Sequence, residues 1–176
     1  MTETGLNFSI RPILDGDLDA VLEIYHQSED FLALGPAAHA SPEMVAGDRA
    51  FSQQQGGVFC GIYKCDLLSQ AESGAINRTL IFLMGILDYA PDYGGEPGVT
   101  FIELLMIAPA YRRQGLGAAM VSWLLAETHA HTLRAAVQVN NPLAIRFWQR
   151  LGFRITGPAE PQTDGTTTYP IQWTAA

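Results

Sequence analysis

Arg112-Arg113-Gln114-Gly115-Leu116-Gly117-Ala118-Ala119-Met120 (RRQGLGAAM) is the stretch on which the reading of this chain turns. It follows an apolar run, Val99 to Ala108, and opens a segment with helical spacing. Glycines without Cβ let the backbone approach phosphate oxygens closely and adopt positive φ. A helix starting there adds unpaired amides and the positive end of its dipole. The turn therefore reads as a cradle for a phosphate-bearing cofactor. A P-loop needs Lys and Ser/Thr after its second glycine, and Ala118-Ala119 stand there instead. A dinucleotide fold needs a third glycine and an acid about twenty residues on. Met120 fills that glycine position and no acid lies between Glu127 and Glu160, so an NAD(P)-dependent oxidoreductase is the weaker reading.

Outward from the turn, Val99 to Ala108 is a strand that Pro109 ends, and the helix runs from about Gly117 to His131. Its expected apolar face is Ala118, Val121, Leu124, Leu125 and Thr128. Arg134 to Val139 is a short strand. Asn141-Pro142 starts a helix whose Ala144, Phe147, Trp148 and Leu151 share a face, and Gly152 stops it. Phe153 to Thr156 and Thr167 to Trp173 are closing strands. Upstream, Asn7 to Ile13 is a first strand, and LDAVLEIYH has helical spacing behind Asp15, Asp17 and Asp19. Ser41-Pro42 starts a second helix, with Ser as cap. Val58 to Cys65 and Thr79 to Tyr89 are strands joined by the hairpin loop SQAESGAINR. The order implies a mixed α/β domain with a partly antiparallel sheet.

The 176 residues suit one domain, and nearly half of them are apolar. No apolar run approaches the ~18 residues of a membrane span, and MTETGLNFSIRP lacks a signal-peptide pattern. A soluble, cytoplasmic protein with no membrane partner is the expectation. Cys60 and Cys65, an odd offset apart in one strand, fall on opposite faces as small buried hydrophobes. No Cys/His cluster has zinc spacing, so no metal is expected. The net charge of -8 argues against a nucleic-acid binder. Yet residues 104–157 hold six Arg against Glu127 alone, so the glycine turn lies in the basic portion of an acidic chain, as an anionic cofactor favours.

Arg112 to Gly117 fits Q/R-x-x-G-x-G/A, and in this the chain resembles the GNAT superfamily of N-acyltransferases. IELLMIAPAYRRQGLG is similar to that family's fourth strand and pyrophosphate loop. NNPLAIRFWQRLGF is similar to its N-x-x-A-x-x-x-Y-x-x-x-G-F helix and following strand, and SIRPILDGDLDAVLEIY to its first strand and helix. The resemblance covers about residues 6–157, with a closing strand near 167–174, and treats 1–176 as one domain. It implies a mostly antiparallel sheet splayed at strands 4 and 5 and flanked by about four helices.

The resemblance implies acetyl-CoA as acyl donor. The amides of Gln114, Gly115, Leu116, Gly117 and Ala118 would cradle its pyrophosphate. The backbone of Leu105, Met106 and Ile107 would pair with the pantetheine arm like an added strand. Arg112 and Arg113 would meet phosphates, unless one is simply solvated. Asn141 would bond near the pantetheine, serve as an N-cap, or do both.

Acyl transfer to an amine needs the neutral amine, which costs an alkylamine about 4 kcal/mol at pH 7. A general base offsets part of this. Glu103, the only acid in the run Val99 to Ala108, is the candidate, nine residues before Arg112 and expected on one face with Phe101, Leu105 and Ile107. Its other readings are a structural carboxylate or a holder of the substrate amine. The family's Tyr that protonates the leaving thiolate is replaced by Trp148, whose N–H donates hydrogen bonds but is no acid near neutrality. Trp148 then packs beside the pantetheine or acetyl group, or belongs to the core. Tyr111, Tyr89 and Tyr169 are the alternative hydroxyls. No motif pairs a Cys with a His, so direct attack in a ternary complex is expected.

The resemblance places the acceptor among Asp30 to Asp48 and Tyr89 to Gly98, where Asp30, Glu43, Asp48, Asp92 and Glu96 suggest a cationic amine of a small molecule or of a peptide or protein. Against an active N-acetyltransferase stands a CoA-binding module that has lost catalysis, with Trp148 as its sign. A homodimer is left open.

Overall fold

The computed structural model describes residues 7–66 and 80–175. In chain order its elements are β1 (Phe8–Pro12), α1 (Leu18–Gln27), α2 (Glu29–Leu32), α3 (Pro42–Gln54), β2 (Val58–Asp66), β3 (Leu80–Ala90) and β4 (Val99–Ile107). They continue with α4 (Leu116–Thr128), β5 (Thr132–Gln138), α5 (Pro142–Arg150), β6 (Arg154–Ile155), β7 (Glu160–Pro161) and β8 (Thr167–Thr174). The strands form one sheet in the order β1-β2-β3-β4-β5-β8-β6, with β7 also on β8. Every pairing is antiparallel except β4 with β5, which is parallel. This is the mixed, mostly antiparallel sheet expected.

Successive strand residues face opposite sides, and two cores follow. Ile86 and Met106 join Val21, Ile24 and Tyr25 of α1 and Val45 of α3. Leu87 and Ile102 join Leu116, Met120 and Leu124 of α4, Leu133 of β5 and Trp148 of α5. Leu124 and Leu133 are fully buried, and burying a side chain of that size contributes about 1.5–3 kcal/mol.

The local signals act as expected at most element ends. Ser41 Oγ accepts from Met44 N–H at 3.2 Å and caps α3. Gly152 ends α5 with φ +91°. In α4 the expectation needs correction: the helix stops at Thr128, because His129 takes a left-handed φ of +51°. His131 belongs instead to the approach to β5, where its N–H donates to Gly98 C=O at 3.0 Å. The buried face of α4 is Leu116, Met120, Val121 and Leu124, so Leu116 and Met120 join it while Ala118, Leu125 and Thr128 are only half-buried. The single-turn α2 and the two-residue β7 carry no periodicity to betray them. The expected hairpin loop SQAESGAINR lies outside the described residues. Cys60 is buried with a free thiol, and the side chain of Cys65 lies outside the described residues. Among the described residues no helix is long and apolar enough to cross a membrane.

Candidate active site

The site begins where two parallel strands part. β4 pairs with β5 only from Val99↔Thr132 to Ile102↔Ala135. Beyond that, β4 stays on β3 and β5 stays on β8, so a gap opens between them. Glu103 is the first β4 residue past the last pair. It is also an extra residue: Asp88 faces Leu104 and Tyr89 faces Ile102, leaving Glu103 as a β-bulge.

The bulge corrects the expected alternation. Ile102, Leu105 and Ile107 pack on the α4/α5 side, whereas Leu104 and Met106 pack on the α1/α3 side. The bulge interrupts the alternation at Glu103, so its face does not follow from that of Leu105 and Ile107, and the Asp88 charge is near enough to act on it. Burial first, and the Asp88 charge second, push the Glu103 carboxyl up to about 7. Asp88 is 3 % exposed and accepts from Ser52 Oγ at 2.6 Å. One turn earlier on α3, Asp48 accepts from the Tyr25 hydroxyl at 2.8 Å. Among the described residues, Glu103 itself has no hydrogen-bond or ion-pair partner. Asp88 escaped the sequence reading, although the signal that marked Glu103, a lone acid in an apolar strand, marks it equally.

Ladder geometry sorts the three backbone candidates on β4. Ala108 N–H donates to Met84 C=O at 2.9 Å. By the two-residue alternation of an antiparallel ladder, Met106 also bonds toward β3, and Leu105 and Ile107 turn their groups to the open side. The Ile107 C=O is taken by Arg112 Nε–H at 2.7 Å. The groups left facing the gap are the Leu105 N–H and C=O and the Ile107 N–H.

At the turn, Gly115 is the N-cap of α4 with φ +82°, and no side chain caps the helix. The first intrahelical bond is Ala119 N–H to Gly115 C=O at 3.0 Å, so the amides of Leu116, Gly117 and Ala118 precede it unpaired. Gln114 Nε2 braces the turn against Ala110 C=O at 2.7 Å. Arg113 is exposed in a left-handed conformation, φ +61°, that a non-glycine residue adopts at a cost. Gly117 also packs closely: a Cβ there would lie 3.0 Å from Phe147 Cζ, and the ring would have to shift.

Downstream, Asn141 is the N-cap of α5, its Oδ1 accepting from Ala144 N–H at 3.0 Å. The cap engages only the carbonyl end of the carboxamide. Trp148 lies in the core at 8 % exposure, edge-on to Phe147 and Phe153 at 4.9 and 4.8 Å. Tyr89 is buried and its hydroxyl is pushed up to about 12 by burial, which makes it a weaker acid than an ordinary phenol. Tyr111 and Tyr169 are half-buried.

Of the five acids expected around the acceptor, Glu43 is exposed and four have partners within the chain. Asp30 pairs with Arg112, Glu96 with Arg134, Asp48 with Tyr25, and Asp92 Oδ1 accepts from Gly98 N–H. Two of these carboxylates thus meet a guanidinium, and two accept from neutral donors. A cavity of about 290 Å³ instead opens between Leu34-Gly35-Pro36, Val139-Asn140 and Asp164 to Thr167.

The acetyltransferase (GNAT) family profile matches residues 50–153. No curated protein matches the sequence. Among solved structures, an acetyltransferase from Thermus thermophilus is similar with a TM-score of 0.68 at 22% identity, covering 94% of this chain and 96% of that one. The ribosomal-protein-S18-alanine N-acetyltransferase from Escherichia coli has a TM-score of 0.60 at 18% identity, covering 97% and 95%. The Salmonella typhimurium protein yncA, solved with its cofactor acetyl-CoA, gives 0.60 at 20% identity, covering 97% and 95%.

Proposed function

Because this chain belongs to the acetyltransferase (GNAT) family, we propose that it is an N-acetyltransferase that moves the acetyl group of acetyl-CoA to a primary amine by direct attack. The observation that carries this reading is Glu103, half-buried and without a partner among the described residues, at the apex where β4 and β5 part. The unpaired amides of Leu116 to Ala118 suit a pyrophosphate, and the free groups of Leu105 and Ile107 suit an amide-bearing arm laid along β4. Glu103 takes a proton from the acceptor nitrogen as that nitrogen bonds to the acetyl carbon. The carbon–sulfur bond breaks, and the sulfur takes its proton from solvent or from Tyr111 or Tyr169. Trp148 serves as core, not as donor. The acceptor occupies the side of the gap bounded by the cavity at Leu34 to Pro36, and its charge is not dictated by the paired acids around it.

Calorimetric titration with acetyl-CoA tests the donor, and thiol release across a panel of alkylamines and peptide N-termini tests the reaction. No heat of binding would overturn the reading. Binding with no thiol release from any amine would favour a CoA-binding module, the alternative that the missing phenol at Trp148 supports.

The pH profile follows from the state of Glu103. A base acts when ionised, so kcat/KM is expected to rise with pH through about 7 and then level. Asp88→Asn removes the repelling charge but leaves the burial. The rising limb should then move to lower pH while staying above the ordinary carboxylate range. A limb unmoved by Asp88→Asn, measured on the purified variant with saturating acetyl-CoA, would dissociate Asp88 from the base.

A further inference from the structure

Arg112 was the natural partner for a phosphate, but its side chain is committed elsewhere. Its Nε–H donates to Ile107 C=O at 2.7 Å, and its two Nη groups fork onto the Asp30 carboxylate, with Nη2 to Oδ1 at 3.0 Å. Asp30 lies on α2, which is 82 residues away in sequence. Four residues further on, Leu34 C=O accepts from Asn140 Nδ2 at 3.0 Å. Ile107 is the last residue of β4, and Asn140 lies two residues past the end of β5. The segment from Asp30 to Leu34 is thus tied at one end to β4 and at the other to β5, the two strands that part at Glu103. Both ties reach residues flanking the turn and the α5 cap, Arg112 before the glycines and Asn140 before Asn141. α2 contributes no fully buried residue; Phe31 and Leu32 pack half-buried against the α1/α3 core, and the two polar ties fix its other side to the strands.

We infer that residues 29–36 form a strap across the open end of the β4/β5 gap, and that Arg112 is its clamp, a positioning residue for the acceptor wall and not a phosphate ligand. The inference rests on the proposed placing of acetyl-CoA at the turn and adds a link between that turn and the acceptor side. Arg112 has five N–H donors in a fixed fork. Turning it to a phosphate would break the bonds to the Asp30 carboxylate and the Ile107 carbonyl together, because one guanidinium plane serves both. Arg113, exposed and without a partner among the described residues, is the arginine left for the cofactor. Since one side chain joins the turn to the strap, order imposed at the turn is passed to the wall on which the acceptor rests.

The test compares wild type, Arg112→Ala, Asp30→Asn, their double variant and the charge swap Asp30→Arg/Arg112→Asp. Acetyl-CoA affinity is read by calorimetry, and amide hydrogen exchange at Phe31 to Leu34 is read with and without acetyl-CoA. Both single variants should speed exchange in the free protein about fivefold, the upper end for an exposed ion pair. The double variant should add little to either, and the swap should restore part of the protection. Acetyl-CoA should slow exchange at the strap in wild type, and Asp30→Asn should abolish that slowing while still binding acetyl-CoA. Arg112→Ala should weaken acetyl-CoA by less than about threefold, against the roughly tenfold or greater loss expected for a missing charge-assisted phosphate bond. A tenfold loss in Arg112→Ala, or strap exchange unchanged in both single variants, would overturn the inference. If wild type fails to bind acetyl-CoA, the proposed function falls, and exchange in the free protein still judges the clamp.

Discussion

Glu103→Gln is expected to lower kcat by about 10²- to 10⁴-fold, the range for loss of a positioned general base, with acetyl-CoA affinity unchanged. The substitution keeps the shape of the side chain and removes only its capacity to take a proton. It also removes a half-buried carboxyl held well above its ordinary range, so the folded protein should lose no stability and should gain some as pH rises through the ordinary carboxylate range, with the gain complete above about 7. That combination separates the three roles open to this residue. A structural carboxylate would show a lower melting temperature with kcat retained. A holder of the substrate amine would raise the acceptor KM and spare kcat. Retention of wild-type kcat in Glu103→Gln would remove the base from the mechanism. Its place supports the base role: Glu103 is a bulge at the first residue where β4 loses β5 as neighbour.

Trp148→Ala should have the largest effect on stability, about 3–5 kcal/mol, as for other large aromatic truncations in a packed core. The ring sits between Phe147 and Phe153 with little exposure, and its removal leaves a cavity that α5 and β6 cannot both close. The damage should reach the glycine turn proposed to hold acetyl-CoA, because Phe147 rests against Gly117. Chemical denaturation followed by Trp fluorescence and acetyl-CoA calorimetry at low temperature would register the two consequences separately. Trp148→Tyr adds the phenol that the family places here. If Trp148 is core, this variant loses some stability and gains no rate. A faster kcat would instead show that the position faces the reacting sulfur. Denaturation unchanged in Trp148→Ala would contradict the packing.

Much of the local architecture was legible in the chain because its signals are contiguous. Ser41 before Pro42, Asn141 before Pro142 and Gly152 after Leu151 each act on the few residues beside them, and each marks a helix end in the structure. The period of Trp148 with Ala144 and Leu151 foretold the buried face of α5 in the same way. At α4 the same logic ran three residues too far, because Thr128-His129 holds no glycine or proline to announce the stop. The acids around the acceptor side were visible as charges, but their arginine partners were not: Asp30 meets Arg112 and Glu96 meets Arg134 across tens of residues.

By itself the sequence determined the glycine turn, the order of strands and helices around it, and the candidate base, since each depends on which residues lie side by side along the chain. Tertiary structure alone decided how these parts face each other. Pairing of β3 with β4 inserts Glu103 as a bulge and reverses the alternation that a straight strand would keep. The end of β4–β5 pairing at Ile102 makes the gap. The docking of α2 takes Arg112 from the expected phosphate and gives it to Asp30. Register, strand divergence and ion pairing join segments distant in sequence, and their energies depend on distances that no local propensity encodes.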